Sequence, residues 1–452
     1  MTVDDRADEG GRGETGEIDG FVALAVFALG LTAGMLILLI AFQLVPDRPD
    51  ESAAEFGVVR DFAARYYVEE LDDEELTTRA LSGMLQSLDA HSNYFDRSRS
   101  EGHRRRVEGD FRGTGIVFRA TTDEPRILFP VKDSPAWDAG VRVGDRILAI
   151  DDVALAGLTA DEIRAELAPR GRAVLRMRVE GLDGEERLLD VQPRVLVEPS
   201  VRHAHVFADA PAVGYLAITS FTNNTPDEFD ATVAELVQRG ARAIVLDLRG
   251  NLGGVLDAAV HVVGRFVDEG VVVSSEGRIA RQVQRADVVE PLFESLDVVV
   301  LVDRSSASAS EVVASALQDH RQGVVVGEPT YGKGLIQSTR SFPRFGSRAK
   351  VTSGYFYTPS GRNFDRTVDP SRDYGILPDL VVDVPRETTF ALHVWLGRFD
   401  PPAELLDQLE AWDAESEAEI LPAPPDDPQL DAALALLSGA APIPARITSK
   451  RP

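Results

Sequence analysis

The stretch "DVVVLVDRSSASASEVVASALQDH", residues 297–320, decides how the centre of this chain folds. It opens on an unbroken aliphatic run from Val298 to Val302. Such a run fits a parallel strand covered on both faces. It closes on Val312, Val313, Ala316 and Leu317, spaced as on a helix. Between strand and helix lie Ser305, Ser306, Ser308 and Ser310. Ser308-Ala309-Ser310-Glu311 has the S-x-x-E form of a capping box, and capping alone would explain these serines. A helix N-terminus is also where a serine is helped to react. Its neighbouring N–H groups and the helix dipole favour an oxyanion.

Two more runs extend the pattern. "ARAIVLDLRG" (241–250) leads through a Gly-rich turn into a helix, "LDAAVHVVGRFV", and "GVVVGEP" begins at Gly323. Together they predict an α/β core with a parallel sheet. Active sites in such sheets collect at the carboxyl ends of the strands. "LRGNLGG" (248–254) and "RSSASAS" (304–310) both fall there.

A nucleophilic serine needs a base. His320 stands at the far end of the same helix, and His203 and His205 read as surface residues of a strand. The G-x-S-x-G elbow is absent. Lysine is the other choice. "VGEPTYGKGLIQST" places Lys333 between two glycines at a strand start. Strand alternation would put Lys333, Leu335 and Gln337 on one face, so Gln337 could aim the amine. A lysine base must be neutral, which lowers its pKa from about 10.4 towards about 7 or 8. Burial can do this. Gly327 to Lys333 also reads G-x-x-x-x-G-K, but Gly334 stands where a P-loop has Ser or Thr, and a strand follows where a helix is required. Nucleotide binding is rejected.

Upstream, residues 105–193 hold short β-rich runs ("GIVFRA", "RILFPV", "RILAID", "AVLRMRVEG", "RLLDVQ") and one helical stretch, "TADEIRAEL". "SPAWDAGVRVGDRILAIDD" (134–152) closely resembles a PDZ domain, with S-P-A, A-G and G-D-x-I-x-x-I-D all in place. The carboxylate-binding loop of that family matches "FRGTGIVF". Gly113, Thr114, Gly115 and Ile116 would hold a substrate tail there, and the next strand would let the tail add to the sheet edge.

With "SASASE" (306–311), "GEPTYGKG" (327–334) followed by Gln337, and "LDLRGNLGG" (246–254), the chain resembles the C-terminal processing (tail-specific) proteases, serine peptidases with a Ser–Lys dyad. "GMLQSLDAHSNYF", "GYLAITSF", "YTPSGR" and "GILPD" also look like this family, and the resemblance runs from about residue 55 to 383. It implies Ser308 as nucleophile, Lys333 as base and Gln337 as its orienting residue. The oxyanion hole would come from Ala309 and from Gly253 or Gly254. It also implies a crotonase-like βα core, no metal and no cofactor. Leu252 sits where Pro is common, and "NFDRTVDPSRDY" (363–374) is longer than usual. Neither departure is expected to touch the dyad.

Composition sets the remaining expectations. A net charge of −27 argues against nucleic acid as a partner. The absence of cysteine excludes disulfides, thiolate catalysis and Cys-based zinc sites. Phe21 to Val45 carry no charge and suit a transmembrane helix. "FQLVPDRPD" is a poor cleavage site, so an uncleaved anchor is expected, with the body in the periplasm or outside the cell. The expected order is an acidic tail (1–20), the anchor (21–45), a helical segment (50–104), the PDZ domain (105–193), the protease core (194–385) and a helical extension and tail (386–452). Partners would be proteins or peptides with free C-termini, the membrane, and a second copy or a regulator. The alternative is an inactive PDZ membrane scaffold or a holding chaperone.

Overall fold

The computed structural model describes residues 51–120, 125–210, 212–368, 373–416, 420–421 and 423–440. The expected anchor, 21–45, and both terminal tails lie outside them. Among the described residues no helix is long and apolar enough to cross a membrane. The chain divides into two units at residues 83 and 84. The first contains α1 (Glu51–Tyr66) and most of α2 (Asp73–Gln86). No residue of α1 is buried.

The second unit begins with β1 (Asn93–Phe95) and α3 (Arg97–Glu108). Asp96 caps α3 by accepting the Arg99 N–H, and Gly109 ends it in the left-handed conformation. This helix runs across the expected 104/105 boundary. The region that resembles a PDZ domain follows, beginning with β2 (Asp110–Gly113).

Its sheet is built from β3 (Ile116–Ala120), β4 (Pro125–Pro130), β5 (Arg146–Ile150), β6 (Val153–Ala154), β7 (Leu175–Glu180) and β8 (Glu186–Val191). The order is β3-β4-β5-β7-β8, with β6 on β5, so β3 is an edge strand. Short helix α4 (Pro135–Asp138) and α5 (Ala160–Leu167) complete it. Thr159 and Glu162 form a capping box at the start of α5. A separate core of Ile127, Ile147, Ile150, Ile163, Leu175 and Met177 holds this region together. β9 (Arg194–Val197) pairs with β2 and closes the neck.

The core sheet follows: β10 (Val201–Val206), β11 (Val213–Ile218), β12 (Ala243–Asp247), β15 (Asp297–Val302), β16 (Gly323–Gly327) and β19 (Leu380–Val381). All neighbours after β11 are parallel, as the aliphatic runs predict. One face carries Leu246, Val298 and Val300 against helices α6 (Thr225–Gln238), α7 (Leu256–Gly264) and α8 (Ala309–Asp319). The other face carries Val245, Val299 and Leu301. It packs on Leu396, Ala433 and Leu436, from α9 (Arg386–Leu396) and α11 (Pro428–Leu437), which flank α10 (Leu406–Glu415). The extension is therefore the second helical layer of the core. The 385/386 boundary is not a packing boundary, because strands apolar on both faces must be covered on both. A second, antiparallel sheet joins β1, β13 (Val271–Gly277), β14 (Arg281–Arg285), β17 (Leu335–Phe342) and β18 (Ser347–Tyr357).

Candidate active site

Strand β15 ends at Val302, and the next six residues turn back into α8. The serines in this turn separate by role. Ser306 donates its hydroxyl to the Leu248 carbonyl at 2.9 Å, and Ser310 donates to the Asn251 carbonyl at 3.0 Å. Both are buried and stitch the turn to the 248–254 loop. Ser308 is half-buried and takes no part in that stitching. It is the N-cap of α8 with φ +57° and ψ −112°. A non-glycine residue with positive φ is strained by about 1–3 kcal/mol, and such strain clusters at functional sites.

Glu311, in the first turn of α8, is fully buried. Its Oε2 accepts the Ser308 N–H at 2.8 Å and the Lys333 N–H at 2.9 Å. Its Oε1 accepts the Thr330 hydroxyl at 2.6 Å and the Gly332 N–H at 2.7 Å. Sequence reading gave this residue only its capping role; the second role depends on a loop 19 to 22 positions away. Burial raises the Glu311 pKa, and the four donors oppose that rise only in part.

Lys333 is half-buried. Burial is the first cause that lowers its pKa below the ordinary lysine range; the charge of Lys350, on β18, is the second, and Glu311 opposes both. His91 is also depressed, first by burial and then by the Lys333 charge. Neither Lys350 nor His91 was singled out in the sequence.

Gln337 is not joined to the lysine. Its amide donates to the Leu335 carbonyl at 3.3 Å. The alternation expected from Lys333 to Gln337 fails for two reasons. Lys333 precedes β17, which begins at Leu335, and a bulge between Ile336 and Gln337 shifts the register.

The oxyanion candidates separate as well. The Gly253 N–H donates to Asn251 Oδ1 at 2.8 Å. Neither the Gly254 nor the Ala309 N–H donates to any acceptor among the described residues. Gly253 has φ +99°, and a Cβ there would lie 2.8 Å from Ser308 Cβ and 2.9 Å from the Ala309 nitrogen. Only glycine allows the loop to come this close to the serine.

The 363–374 stretch touches the loop on either side of Lys333, though not Ser308 or Lys333 themselves among the described contacts. Asp365 accepts the Gly334 N–H at 2.9 Å, and the Arg366 N–H donates to the Gly332 carbonyl at 3.0 Å. The Arg366 guanidinium lies 3.9 Å from the Tyr331 ring centroid. His203 is likewise not a surface side chain: the extension covers it, through Asp400 and a stacked Trp395.

The model of peptidase family S41 matches residues 212–382, and a PDZ domain model matches 128–181. A "Carboxy-terminal-processing protease" of Bartonella bacilliformis is 32% identical over 394 residues, covering 85% of this chain and 88% of its own. The chain belongs to peptidase family S41. It is a serine-type peptidase. Among its S41 relatives, a "Probable CtpA-like serine protease" of Staphylococcus aureus is 31% identical, over 71% of this chain and 62% of its own. A solved "photosystem II D1 C-terminal processing protease" is 27% identical with TM-score 0.41, covering 73% of this chain and 88% of that one. The S41 match stops at 382, short of α9 to α11.

At the other candidate site, Gly113, Thr114 and Gly115 are buried and Ile116 is half-buried. The Thr114 carbonyl accepts the Ala136 N–H at 2.9 Å and the Gly115 carbonyl accepts the Val131 N–H at 2.7 Å. The groove beside this loop runs along edge strand β3 and reaches Leu167 of α5.

Proposed function

We propose that this chain is a membrane-anchored endopeptidase that cuts protein substrates at or near their C-termini with a Ser308–Lys333 dyad. The observation that carries the reading is the shared carboxylate oxygen of Glu311, which ties the backbone of Ser308 to that of Lys333. Ser308 Oγ attacks the substrate carbonyl carbon while its proton passes to the neutral Lys333 amine. The oxyanion is held by the Ala309 N–H and, of the two glycines, by the Gly254 N–H. Gly253 serves by its close approach, since its own N–H is spent on Asn251. Lys333 then protonates the leaving amine. Neutral once more, it takes a proton from the water that opens the acyl enzyme. The depressed lysine pKa supports this role. Gln337 orients the amine only after turning away from the Leu335 carbonyl.

The substrate tail adds to edge strand β3, with its carboxylate at Gly113, Thr114, Gly115 and Ile116. The resemblance further carries a crotonase-like spiral for the core. Residues 21–45 anchor the chain, and the body works on the extracytoplasmic side.

The test is cleavage of an unfolded protein with an apolar C-terminus by the full chain, beside Ser308→Ala and Lys333→Ala. Each substitution should remove at least about 10³-fold of the rate. Cleavage surviving in either variant would sink the dyad. Binding without cleavage by the parent chain would favour the scaffold.

A further inference from the structure

The groove beside β3 has a third wall. Strand and helix supply two, through Ile116, Phe118 and Leu167, around a cavity of about 330 Å³. The third is Phe399, from the segment after α9. This residue lies beyond both the PDZ match at 128–181 and the S41 match at 212–382.

Phe399 is held in place from several sides. It packs against the cluster of Phe129, Val143, Leu409 and Ile420. The Arg202 guanidinium lies 4.5 Å from its ring centroid. Arg202 is buried and spends its donors around that ring: Nη1 on the Gly397 and Arg398 carbonyls at 2.9 and 3.3 Å, Nε on the Pro199 carbonyl at 2.9 Å. One residue further on, Asp400 accepts the His203 N–H at 2.7 Å. The backbone before Phe399 and the Asp400 side chain after it are thus pinned to β10, and an aromatic wall fixed in this way gives a side chain in the groove a preformed apolar contact.

We infer that Phe399 is a specificity-determining residue for the substrate tail, selecting tails that end in a large apolar side chain such as Leu or Phe. The inference rests on the proposal that the PDZ region captures the tail. On this reading a terminal Leu or Phe meets the ring and a terminal Ala falls short of it. The apolar area gained by the larger residue therefore depends on Phe399.

The experiment measures binding of fluorescent ten-residue peptides ending in Leu, Phe or Ala with free carboxylates, and of amidated Leu controls. It uses the full chain in detergent, with Ser308→Ala so that bound peptides stay uncut. The expected result is that Phe399→Ala lowers the preference for Leu over Ala by about fivefold or more and leaves the Ala peptide unchanged. Unchanged Ala binding also reports an intact groove. Phe399→Leu, which keeps an apolar wall, should retain most of the preference. Equal weakening of all peptides, or no change in preference in Phe399→Ala, overturns the role of Phe399. Failure of the parent to tell free from amidated tails overturns tail capture itself.

Discussion

In the proposed reading the serine turn and the PDZ loop would each offer backbone amides to a carbonyl or carboxylate, yet their surroundings differ. At the serine turn nearly every neighbouring group is committed. Glu311 holds two loops, Asn251 holds a third, and Asp303 accepts the Gly250, Ser305 and Ser306 N–H groups at 2.9 to 3.1 Å. At the PDZ loop the carbonyls of Thr114 and Gly115 are committed, while strand β3 keeps one edge unpaired. The difference follows from what each region must do. An oxyanion has to meet donors already in position. A captured tail brings its own backbone donors and acceptors, so the site must keep some of its own unspent.

Damage to the two regions should therefore show differently. Glu311→Ala strands four buried donors at once. It should lower kcat by about 10²-fold or more and cost about 3 kcal/mol of stability, read by turnover and urea melts. Near-normal kcat would mean that the two catalytic backbones hold without this carboxylate. Gly115→Val acts on the open side. Gly115 has φ +75°, and its new Cβ would come within 2.2 Å of Ser134 Cβ. It should raise KM for a tail-bearing substrate about tenfold while leaving kcat for a short peptide unchanged. Equal loss on both substrates would show that the PDZ loop also shapes the catalytic turn.

A smaller effect is expected at His393. This α9 side chain pairs with Asp303 beneath the serine turn. The pairing is the first cause of the raised His393 pKa; burial and the charge of Arg249 oppose it, and Asp247 assists. For Asp303 burial is the largest single cause and pushes upward, but the bond and charge of His393 together with the Gly250 and Ser305 N–H groups outweigh it, and the pKa is lowered. For the histidine, the stabilisation is complete below its unfolded pKa of about 6.5 and is lost as pH rises through the raised folded value. For the aspartate, it is present above the unfolded carboxylate value and lost as pH falls through the depressed one. His393→Ala should cost about 1–2 kcal/mol near pH 6, discounted because the ring keeps some solvent contact. The cost should shrink at higher pH. A pH-independent loss in thermal melts would assign the effect to packing alone.

Lys350→Met should give the smallest change. With one neighbouring cation gone, Lys333 holds its proton more firmly, so the rising limb of kcat/KM against pH should move to higher pH. A limb that stays in place would leave burial as the whole cause of the lysine shift.

Much of this molecule was legible in its sequence. Three aliphatic runs gave three adjacent parallel strands, and "TADEIRAEL" gave α5 with its Thr159 cap, because period and capping are local signals. Local signals alone would have left Ser308 as a cap and Lys333 as a turn residue; the family resemblance singled them out. What was missed depends on contacts between distant segments. The second role of Glu311, the reach of Asp365 to Gly334 and the burial of His203 under the extension leave no periodic trace. The bulge at Ile336 and Gln337 broke a face assignment that perfect alternation would have made correct.

Arg249 carries a consequence for the order of synthesis. Its guanidinium, buried in the "LDLRGN" loop just ahead of Gly253 and Gly254, is shared between Asp247 and Asp427, at 2.6 Å from each. Asp427 is made 178 residues after Arg249, and Gln429, which also accepts from it, two residues later still. A ribosome that has finished the serine, the lysine and the S41 match has yet to supply the second carboxylate of this charge or the helix that covers the outer face of the sheet. Nascent chains halted before residue 427 should thus carry both Ser308 and Lys333 and yet cut nothing, because Arg249 and the outer face of the sheet would still lack their cover from α11.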